Sequence, residues 1–227
     1  SQELADRVAQ FNAANAPAAA APSGGADEAP ALAGAQLLAP KRGTPGIYRV
    51  SSVGGALVVD LGFACYLDLT AEQAAEFHAG DLVRVDGAGR IEAAADATKA
   101  DLFHYRVEIL RVVDGDTLWI KIYLRPRQWL KQKLRLRGLD CPELSTPEGK
   151  AAKRFTESLL APATAVTIAT TKPDKYDRYL ADVFLDASSD ASVAPAAGEG
   201  LFLNNHLLEN GFAEPKEEWE FGDWAEG

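Results

Sequence analysis

The sequence LRLRGLDCPE, residues 134–143, carries the pattern around which the rest of the chain is arranged. Leucine and arginine alternate up to Gly138, which is typical of a strand with one buried face. Asp140 follows, and then Glu143 directly behind a proline that restricts the backbone. The stretch therefore predicts a strand that places two acids close to its carboxyl end.

Further charged residues flank this stretch in the sequence. Asp116 lies in the tetrapeptide DGDT, eighteen residues before Leu134, and Arg178 lies in DKYDRY, thirty-five residues after Glu143. Arg135 lies on the predicted strand itself. Carboxylates bind hard cations and orient water, and guanidinium groups neutralise phosphate oxygens. The set is suited to a metal-assisted attack of water on a phosphodiester.

The same residues also have structural explanations. Asp-Gly is a favoured hairpin turn, which accounts for Asp114 but does not require Asp116. Glu143 precedes a predicted helix, whose dipole favours an acid at that point. Arg135 and Arg137 share a strand face by period two, so we expect one of them to be an ordinary surface residue.

The charge of the chain is unevenly distributed. The formal net charge is −10, yet residues 101–180 carry 15 Lys or Arg against 10 Asp or Glu. Residues 1–100 carry 7 against 12, and residues 181–227 carry 1 against 11. The positive segment contains the motifs, which favours a polyanionic partner there. The acidic C-terminal segment predicts a solvated surface that weakens nonspecific binding.

Composition limits the remaining possibilities. At 227 residues the chain is long enough for one or two domains, and no apolar run approaches 18 residues, so we expect no membrane partner. Cys65 and Cys141 lie far apart, which argues against a disulfide framework. The chain has no methionine and begins in the helix-like SQELADRVAQF. We therefore expect a processed product or a piece of a longer protein with an upstream domain.

The first part of the chain is predicted to contain two segments. Residues 1–45 combine a short helix remnant with an Ala/Pro-rich linker. Residues 46–100 are predicted to form a small β-rich domain of unknown role, which we interpret as a packing or docking module. Its strands are expected at 48–52, 56–60, 63–67 and 82–86, with a helix that starts at Thr70. For binding of single-stranded nucleic acid it offers only three aromatic residues, namely Tyr48, Phe63 and Tyr66.

Residues 101–227 are predicted to form a second domain with an acidic C-terminal tail. Its strands are expected at 105–113, 118–124, 134–138, 166–171 and 180–185, with helices that start at Thr146 and near Leu201. The basic segment 123–133, YLRPRQWLKQK, is predicted to lengthen the connection between two strands. The order of elements fits a mainly β, α+β fold: a five-stranded barrel of the oligonucleotide-binding (OB) type with packed helices.

The motifs VVDGDT, RLRGLDCPE and DKYDR, in this order, resemble the thermonuclease-like domain of staphylococcal nuclease. Each motif alone is weak, but together, at compatible spacings, they are strong. The resemblance runs from about Val107 to about Ala213. It implies the same OB-type fold and a Ca²⁺-dependent nuclease activity.

The resemblance also implies roles for the acids. Asp116 and Asp140 match the aspartates that bind the catalytic calcium. The main-chain carbonyl of Cys141 matches a further ligand, at a position where the family often has threonine. Glu143 matches the residue proposed to orient or deprotonate the attacking water.

The remaining roles concern the nucleic acid. Arg135 and Arg178 match the arginines that hold the phosphate, and the structural alternative for Arg178 is a solvated loop charge. Lys175 and Tyr176 match residues that contact the terminal phosphate of a bound nucleotide. The aromatic pair under the nucleotide is less well kept, since the segment after Ala213 is acidic and offers only Trp219.

Two functions of different classes follow. The first is a nuclease that hydrolyses DNA and RNA, with a preference for single-stranded or unpaired substrate, and leaves 3′-phosphate ends. The second is a noncatalytic module that binds nucleic acid or protein. The presence of all five acid and arginine positions favours the nuclease. Because millimolar Ca²⁺ is more usual outside the cytoplasm, we expect a secreted or periplasmic location in preference to a cytoplasmic one.

Overall fold

The structure, a computed structural model, describes residues 37–40, 42–173, 179–186 and 200–216. These residues form a small antiparallel sheet and a closed barrel with helices packed on it. The predicted N-terminal helix remnant lies outside the described residues. No helix in the described ranges is long and apolar enough to cross a membrane.

The small sheet contains five antiparallel strands and one short helix. Its elements are β1 (Ile47–Val53), β2 (Ala56–Asp60), β3 (Tyr66–Asp68), α1 (Ala71–Glu76), β4 (Leu82–Val85) and β5 (Ile91–Ala93). The strand order is β3-β2-β1-β4-β5. Thr70 caps α1 as predicted, because its hydroxyl accepts the backbone N–H of Gln73 and the Gln73 side chain accepts that of Thr70.

The third strand starts later than the prediction of 63–67. Phe63 and Ala64 have φ values of 53° and 54°, which is left-handed and not extended backbone. They form a tight turn in which the N–H of Leu61 donates to the carbonyl of Cys65 at 2.9 Å. The extended run therefore begins only at Tyr66.

The second part of the chain contains most of the remaining strands and helices. They are β6 (His104–Val112), β7 (Thr117–Arg125), β8 (Gln128–Leu136), β9 (Leu139–Asp140), α2 (Pro147–Leu160), β10 (Ala165–Pro173), β11 (Tyr179–Asp186), β12 (Leu201–Phe202), α3 (Leu203–Glu209) and β13 (Glu214–Pro215).

Five of these strands close into a barrel. β6, β7 and β8 form an antiparallel meander, β8 pairs in parallel with β11, and β11 pairs with β10. β10 returns to β6 and completes the circle. This connectivity confirms the predicted OB-type α+β fold. The interior is filled by alternate residues of each strand, such as Leu118, Ile120 and Ile122, which are all fully buried.

The prediction of a long connection at 123–133 is wrong. β7 continues to Arg125 and β8 begins at Gln128, so only Pro126 and Arg127 join them. Arg127 takes a positive φ of 63°, as tight hairpins require. The charged residues of this segment point outward from two paired strands, and their number obscured the period-two alternation of the sequence.

Helix α2 covers one end of the barrel. Thr146 caps it by accepting the N–H of Gly149 at 3.0 Å, as predicted. Ala152, Phe155 and Leu159 form the buried face, and the ring of Phe155 stacks on Phe212 at 4.3 Å between centroids. This helix therefore packs against the chain that follows α3.

The small sheet packs on the barrel through a shared core. The hydroxyl of Tyr105 donates to the carbonyl of Leu61 at 2.9 Å, and the hydroxyl of Tyr48 donates to the carbonyl of Leu124. Gly62 allows this approach: a Cβ there would lie 2.1 Å from the Tyr105 hydroxyl oxygen. The two parts of the chain therefore contact each other through buried tyrosines.

This packing removes two of the three aromatic residues considered for stacking on nucleic acid. Tyr48 is buried, and the ring of Phe63 lies 5.2 Å from that of Tyr105 and 4.5 Å from that of Tyr179. Tyr66 alone is exposed, at 47%. A stacking surface formed by all three residues is therefore contradicted.

The residues that precede the small sheet also contact the barrel. The backbone of Leu38 exchanges two hydrogen bonds with the side chain of Asn205 on α3, at 3.0 and 2.9 Å. Arg42 forms an ion pair with Asp186 at 2.6 Å. The end of the segment predicted as a linker thus lies against the second domain.

Candidate active site

The DGDT turn joins β6 to β7 and carries the first candidate acid. The N–H of Val113 donates to the carbonyl of Thr117 at 2.8 Å, and the Asp114 carboxylate accepts the N–H of Asp116 at 3.2 Å. Asp114 therefore stabilises the turn, as its structural explanation predicted. The carboxylate of Asp116 takes no part in these two hydrogen bonds.

Helix α2 holds this turn in place. The hydroxyl of Thr156 donates to the carbonyl of Gly115 at 2.8 Å. A Cβ on Gly115 would lie 2.7 Å from the sulfur of Cys141 and 2.9 Å from the Cβ of Ala152. Only glycine fits between the helix and the chain after β9, so the backbone around Asp116 is tightly positioned.

The carboxylate of Asp116 is buried, with 4% of the residue exposed. It accepts the hydroxyl of Thr117 at 2.9 Å and the N–H of Cys141 at 3.1 Å. Burial raises the pKa of this carboxyl, and the charge of Arg135 opposes that rise. Such a group is stabilised as an anion chiefly by a neighbouring positive charge.

Arg135 supplies that charge and joins the two predicted metal ligands. Its Nη2 lies 3.0 Å from Oδ2 of Asp116 and also contacts Oδ1 of Asp140. The side chains of Asp116 and Arg135 are 6% and 15% exposed, whereas that of Asp140 is 53% exposed. We call Asp116, Arg135 and Asp140 the carboxylate–arginine cluster. In it, one nitrogen atom touches two carboxylates that are 24 residues apart in sequence.

Cys141 lies directly beside the cluster. Its N–H binds Asp116, and burial raises the pKa of its thiol, as do the neighbouring carboxylates. Cys65 and Cys141 are both free thiols. Cys141 thus contributes its backbone to the cluster.

Glu143 lies in the exposed loop between β9 and α2. Its carbonyl accepts the N–H and the hydroxyl of Thr146, at 2.9 and 2.8 Å. Gly149 packs so closely on this loop that a Cβ would lie 2.1 Å from the Glu143 carbonyl oxygen. Among the described residues, no side chain or backbone group binds the Glu143 carboxylate, which is open to solvent within three residues of Asp140.

Arg137 differs from what the sequence suggested. Its Nε and Nη2 donate to the two carboxylate oxygens of Asp182 at 2.7 and 2.8 Å. Its side chain is only 20% exposed, and that of Asp182 is 9% exposed. The expectation that one of Arg135 and Arg137 is an ordinary surface residue is therefore wrong, since both form partly buried ion pairs.

Two further residues at this site, Lys216 and Thr156, were not predicted from the sequence. Glu214 pairs with Asp140 between β13 and β9, which brings Nζ of Lys216 to 3.5 Å from the Asp140 carboxylate. No feature of the sequence indicates that Lys216 belongs to the site, because it lies in an acidic segment 76 residues downstream of Asp140. Thr156, in contrast, could have been found from the sequence, because it is a polar residue next to Phe155 on the apolar face of α2.

Three predicted site residues, Lys175, Tyr176 and Arg178, lie outside the described residues, and so does Trp219. The first described residue after them, Tyr179, pairs in parallel with Leu134, the neighbour of Arg135. Among the described residues, no group of three or more His, Cys, Asp or Glu side chains could hold a metal ion.

The comparisons with known proteins agree with this geometry. A family model described as staphylococcal nuclease homologue matches residues 133–223. An uncharacterized protein of Methanocaldococcus jannaschii is 30% identical to this chain over an alignment that covers 48% of this chain and 58% of the relative. The chain thus matches little more than half of that relative's length. The matched segment contains Arg135, Asp140, Cys141 and Glu143 and the strands that complete the barrel. Residues 133–223 are therefore similar to the staphylococcal nuclease homologues, as the sequence motifs predicted.

Proposed function

We propose that this protein hydrolyses phosphodiester bonds of DNA and RNA in a Ca²⁺-dependent reaction that leaves 3′-phosphate ends. The observation that carries the proposal is the carboxylate–arginine cluster. A buried and an exposed carboxylate meet at one guanidinium nitrogen, and an exposed glutamate without a bound partner among the described residues follows three positions later. A merely structural ion pair does not need the second acid or the free glutamate.

The donor atoms fit a hard divalent cation. Asp116 and Asp140 already share one positive neighbour, and the peptide of Cys141 is fixed beside Asp116 by its N–H. Ca²⁺ accepts carboxylate, carbonyl and water oxygens in irregular coordination. We assign Asp116, Asp140 and the carbonyl of Cys141 as its ligands. When bound, the ion offsets the negative charge of the phosphate and lowers the pKa of water.

Glu143 takes the role of general base. Its carboxylate accepts a proton from a water molecule while the water oxygen forms a bond to phosphorus. The bond between phosphorus and the 5′ oxygen breaks, and the leaving oxygen takes a proton from solvent. The products are a 3′-phosphate and a 5′-hydroxyl. The open position of Glu143 in the loop before α2 supports this role, since both water and substrate can reach it.

Arg135 binds the phosphate and stabilises the charge that develops on its oxygens. A planar guanidinium can offer two parallel N–H donors to phosphate, which a lysine cannot. We propose Arg178 as the second such donor and Lys175 and Tyr176 as contacts of a terminal phosphate. Tyr179 follows Arg178 in the sequence, and it pairs with Leu134, the neighbour of Arg135. This pairing supports the assignment for Arg178.

A noncatalytic binding module is the second candidate. The ion pairs of Arg135 with two aspartates, and of Lys216 with Asp140, satisfy these charges without any ligand. In that case the cluster only stabilises the barrel end. Nucleic acid or protein would then bind without being cleaved.

The test is cleavage of a fluorescent single-stranded DNA in the presence of Ca²⁺ or of EGTA. Glu143→Gln keeps the shape of the side chain and removes the base, and Glu148→Gln, in the first turn of α2, is the matched control. We expect Ca²⁺-dependent cleavage that falls at least 100-fold in Glu143→Gln only. Binding without cleavage by the wild type would support the noncatalytic module. Equal cleavage by Glu143→Gln would exclude the proposed mechanism.

A further inference from the structure

The outer surface of the β7–β8 hairpin presents aromatic and basic side chains in a regular array. Trp119 pairs with Lys133, Lys121 with Lys131, and Tyr123 with Trp129. The residues between them, such as Ile120 and Ile122, fill the barrel, so the paired residues point outward. We call this surface the aromatic–lysine face; it consists of Trp119, Lys121, Tyr123, Trp129, Lys131 and Lys133.

Two of the three aromatic residues of this face are open to solvent. Trp129 is 56% exposed and Tyr123 is 42% exposed, and they lie opposite each other near the hairpin end. These two rings are not part of the barrel interior, which is filled by other residues. Two adjacent exposed rings are what a stacking ligand requires.

Lysines lie against these rings. Nζ of Lys121 is 4.9 Å from the centre of the Tyr123 ring and 5.0 Å from that of Trp129. Nζ of Lys131 is 4.8 Å from the centre of the Trp119 ring. These cation–π contacts hold the rings in place and keep positive charge beside them.

The net charge of the face is positive. Glu108 on β6 contacts it and accepts hydrogen bonds from Tyr123 at 3.0 Å and from Lys121 at 3.4 Å. Three lysines of the face outnumber this acid, and Arg125 and Arg127 add charge at the hairpin end. Within a chain of net charge −10, such a surface is complementary to a polyanion.

The face is continuous with the candidate active site. Thr117 and Arg135 form the next pair on the same side of the hairpin, beside the pair of Trp119 and Lys133. Arg135 lies six positions after Trp129 on β8, a distance of about 20 Å at 3.3 Å per residue. A ligand that lies along the hairpin therefore reaches the carboxylate–arginine cluster at one end.

We propose that the aromatic–lysine face binds single-stranded nucleic acid and guides it to the cluster. Its bases stack on Trp129 and Tyr123, and its phosphates contact Lys131 and Lys133. A duplex hides its base faces, so exposed rings favour a single strand. One OB fold binds about 4–16 nucleotides, which is compatible with a face of about 20 Å. The inference extends the proposed nuclease function by naming where the substrate strand lies.

The experiment measures binding of a fluorescent twelve-residue oligothymidylate by anisotropy in EGTA, which separates binding from Ca²⁺-dependent cleavage. Trp129→Ala removes one stacking ring, and Tyr66→Ala removes a ring of similar exposure from the small sheet. We expect the dissociation constant to rise about 10-fold in Trp129→Ala and to stay unchanged in Tyr66→Ala. We also expect Lys131→Gln to reduce the slope of log affinity against log salt by about one. Circular dichroism checks that each variant is folded.

A second measurement separates this inference from the proposed function. Hydrolysis of bis(4-nitrophenyl) phosphate with Ca²⁺ needs the cluster but cannot use the distant rings. If Trp129→Ala loses affinity for the oligonucleotide and keeps the wild-type rate on the small ester, the inference is supported. If the wild type hydrolyses nothing but Trp129→Ala still loses affinity, the face is supported and the nuclease function is not. Unchanged affinity in folded Trp129→Ala, or an equal loss in Tyr66→Ala, would overturn the inference.

Discussion

Arg135 lies on β8 and Arg137 directly follows the end of that strand, yet their surroundings differ in kind. Arg137 donates two parallel hydrogen bonds to Asp182, whose side chain is 9% exposed. The side-chain amide of Asn204 donates to the backbone carbonyl of Arg137 and also to that of Ala181. Arg135 instead shares one nitrogen between two carboxylates, and that of Asp140 is half open to solvent.

The difference shows how one pattern can produce a structural pair and a candidate catalytic pair. A closed, bidentate, buried ion pair leaves no position for a ligand, and it is expensive to break. A partly exposed pair with an excess of acid can exchange its partners for a cation and a phosphate. Burial and coordination geometry, and not residue type, therefore separate the two arginines.

The largest expected effect is a loss of activity when Arg135 is replaced. Arg135→Lys keeps the positive charge but loses the planar fork, so we expect the rate of DNA cleavage to fall at least about 100-fold. The free energy of unfolding should change by less than about 1 kcal/mol, because charge remains near Asp116. Cleavage assays and urea unfolding of the same samples measure both quantities. Wild-type cleavage by Arg135→Lys would remove the distinction between the two arginines.

The next effect concerns stability. Arg137→Ala leaves the buried carboxylate of Asp182 without its partner, and we expect the free energy of unfolding to fall by about 3 kcal/mol. The folded fraction should still cleave DNA at the wild-type rate at low temperature. In the double variant Arg137→Met/Asp182→Leu, most of the lost stability should return, because no charge is then left buried. A loss of activity larger than the loss of folded protein would place Arg137 in the active site.

A smaller, mixed effect is expected at Thr156, which joins α2 to the DGDT turn. Thr156→Val removes the donor to the buried carbonyl of Gly115 and should cost about 1–2 kcal/mol of stability. Because Asp116 is next to Gly115, we also expect cleavage to fall about 10-fold through misplacement of this carboxylate. Thr156→Ser keeps the hydroxyl and is the control. Equal activity in the valine and serine variants would show that the turn does not need this anchor.

The smallest expected effect is the stabilisation of the folded protein by bound Ca²⁺. Ca²⁺ at ten times its dissociation constant should raise the free energy of unfolding by about 1.4 kcal/mol. Asp140→Asn should abolish this increase, and Asp68→Asn, an exposed acid on the small sheet, should leave it unchanged. Thermal unfolding with Ca²⁺ and with EGTA measures the difference. An increase that persists in Asp140→Asn would place the ion elsewhere.

Much of the domain followed from local sequence signals. The alternation at β6, β7 and β11 predicted those strands within one residue at each end, and Thr146 with Pro147 predicted the start of α2. Such signals depend on neighbours within a turn or a strand, where steric and hydrogen-bonding preferences act directly. The hairpin at Pro126 was missed because its outward residues are mostly charged, which resembles the composition of a loop.

The sequence by itself determined which residues were candidates: Asp116, Arg135, Asp140 and Glu143 were recognised from type and spacing. Only the tertiary structure decided how the charges pair. Arg137 meets Asp182 because β8 and β11 run parallel, and Lys216 meets Asp140 because β13 pairs with β9. These contacts join residues 45 and 76 positions apart. Their energies depend on the burial that barrel closure produces, which no local pattern in the sequence specifies.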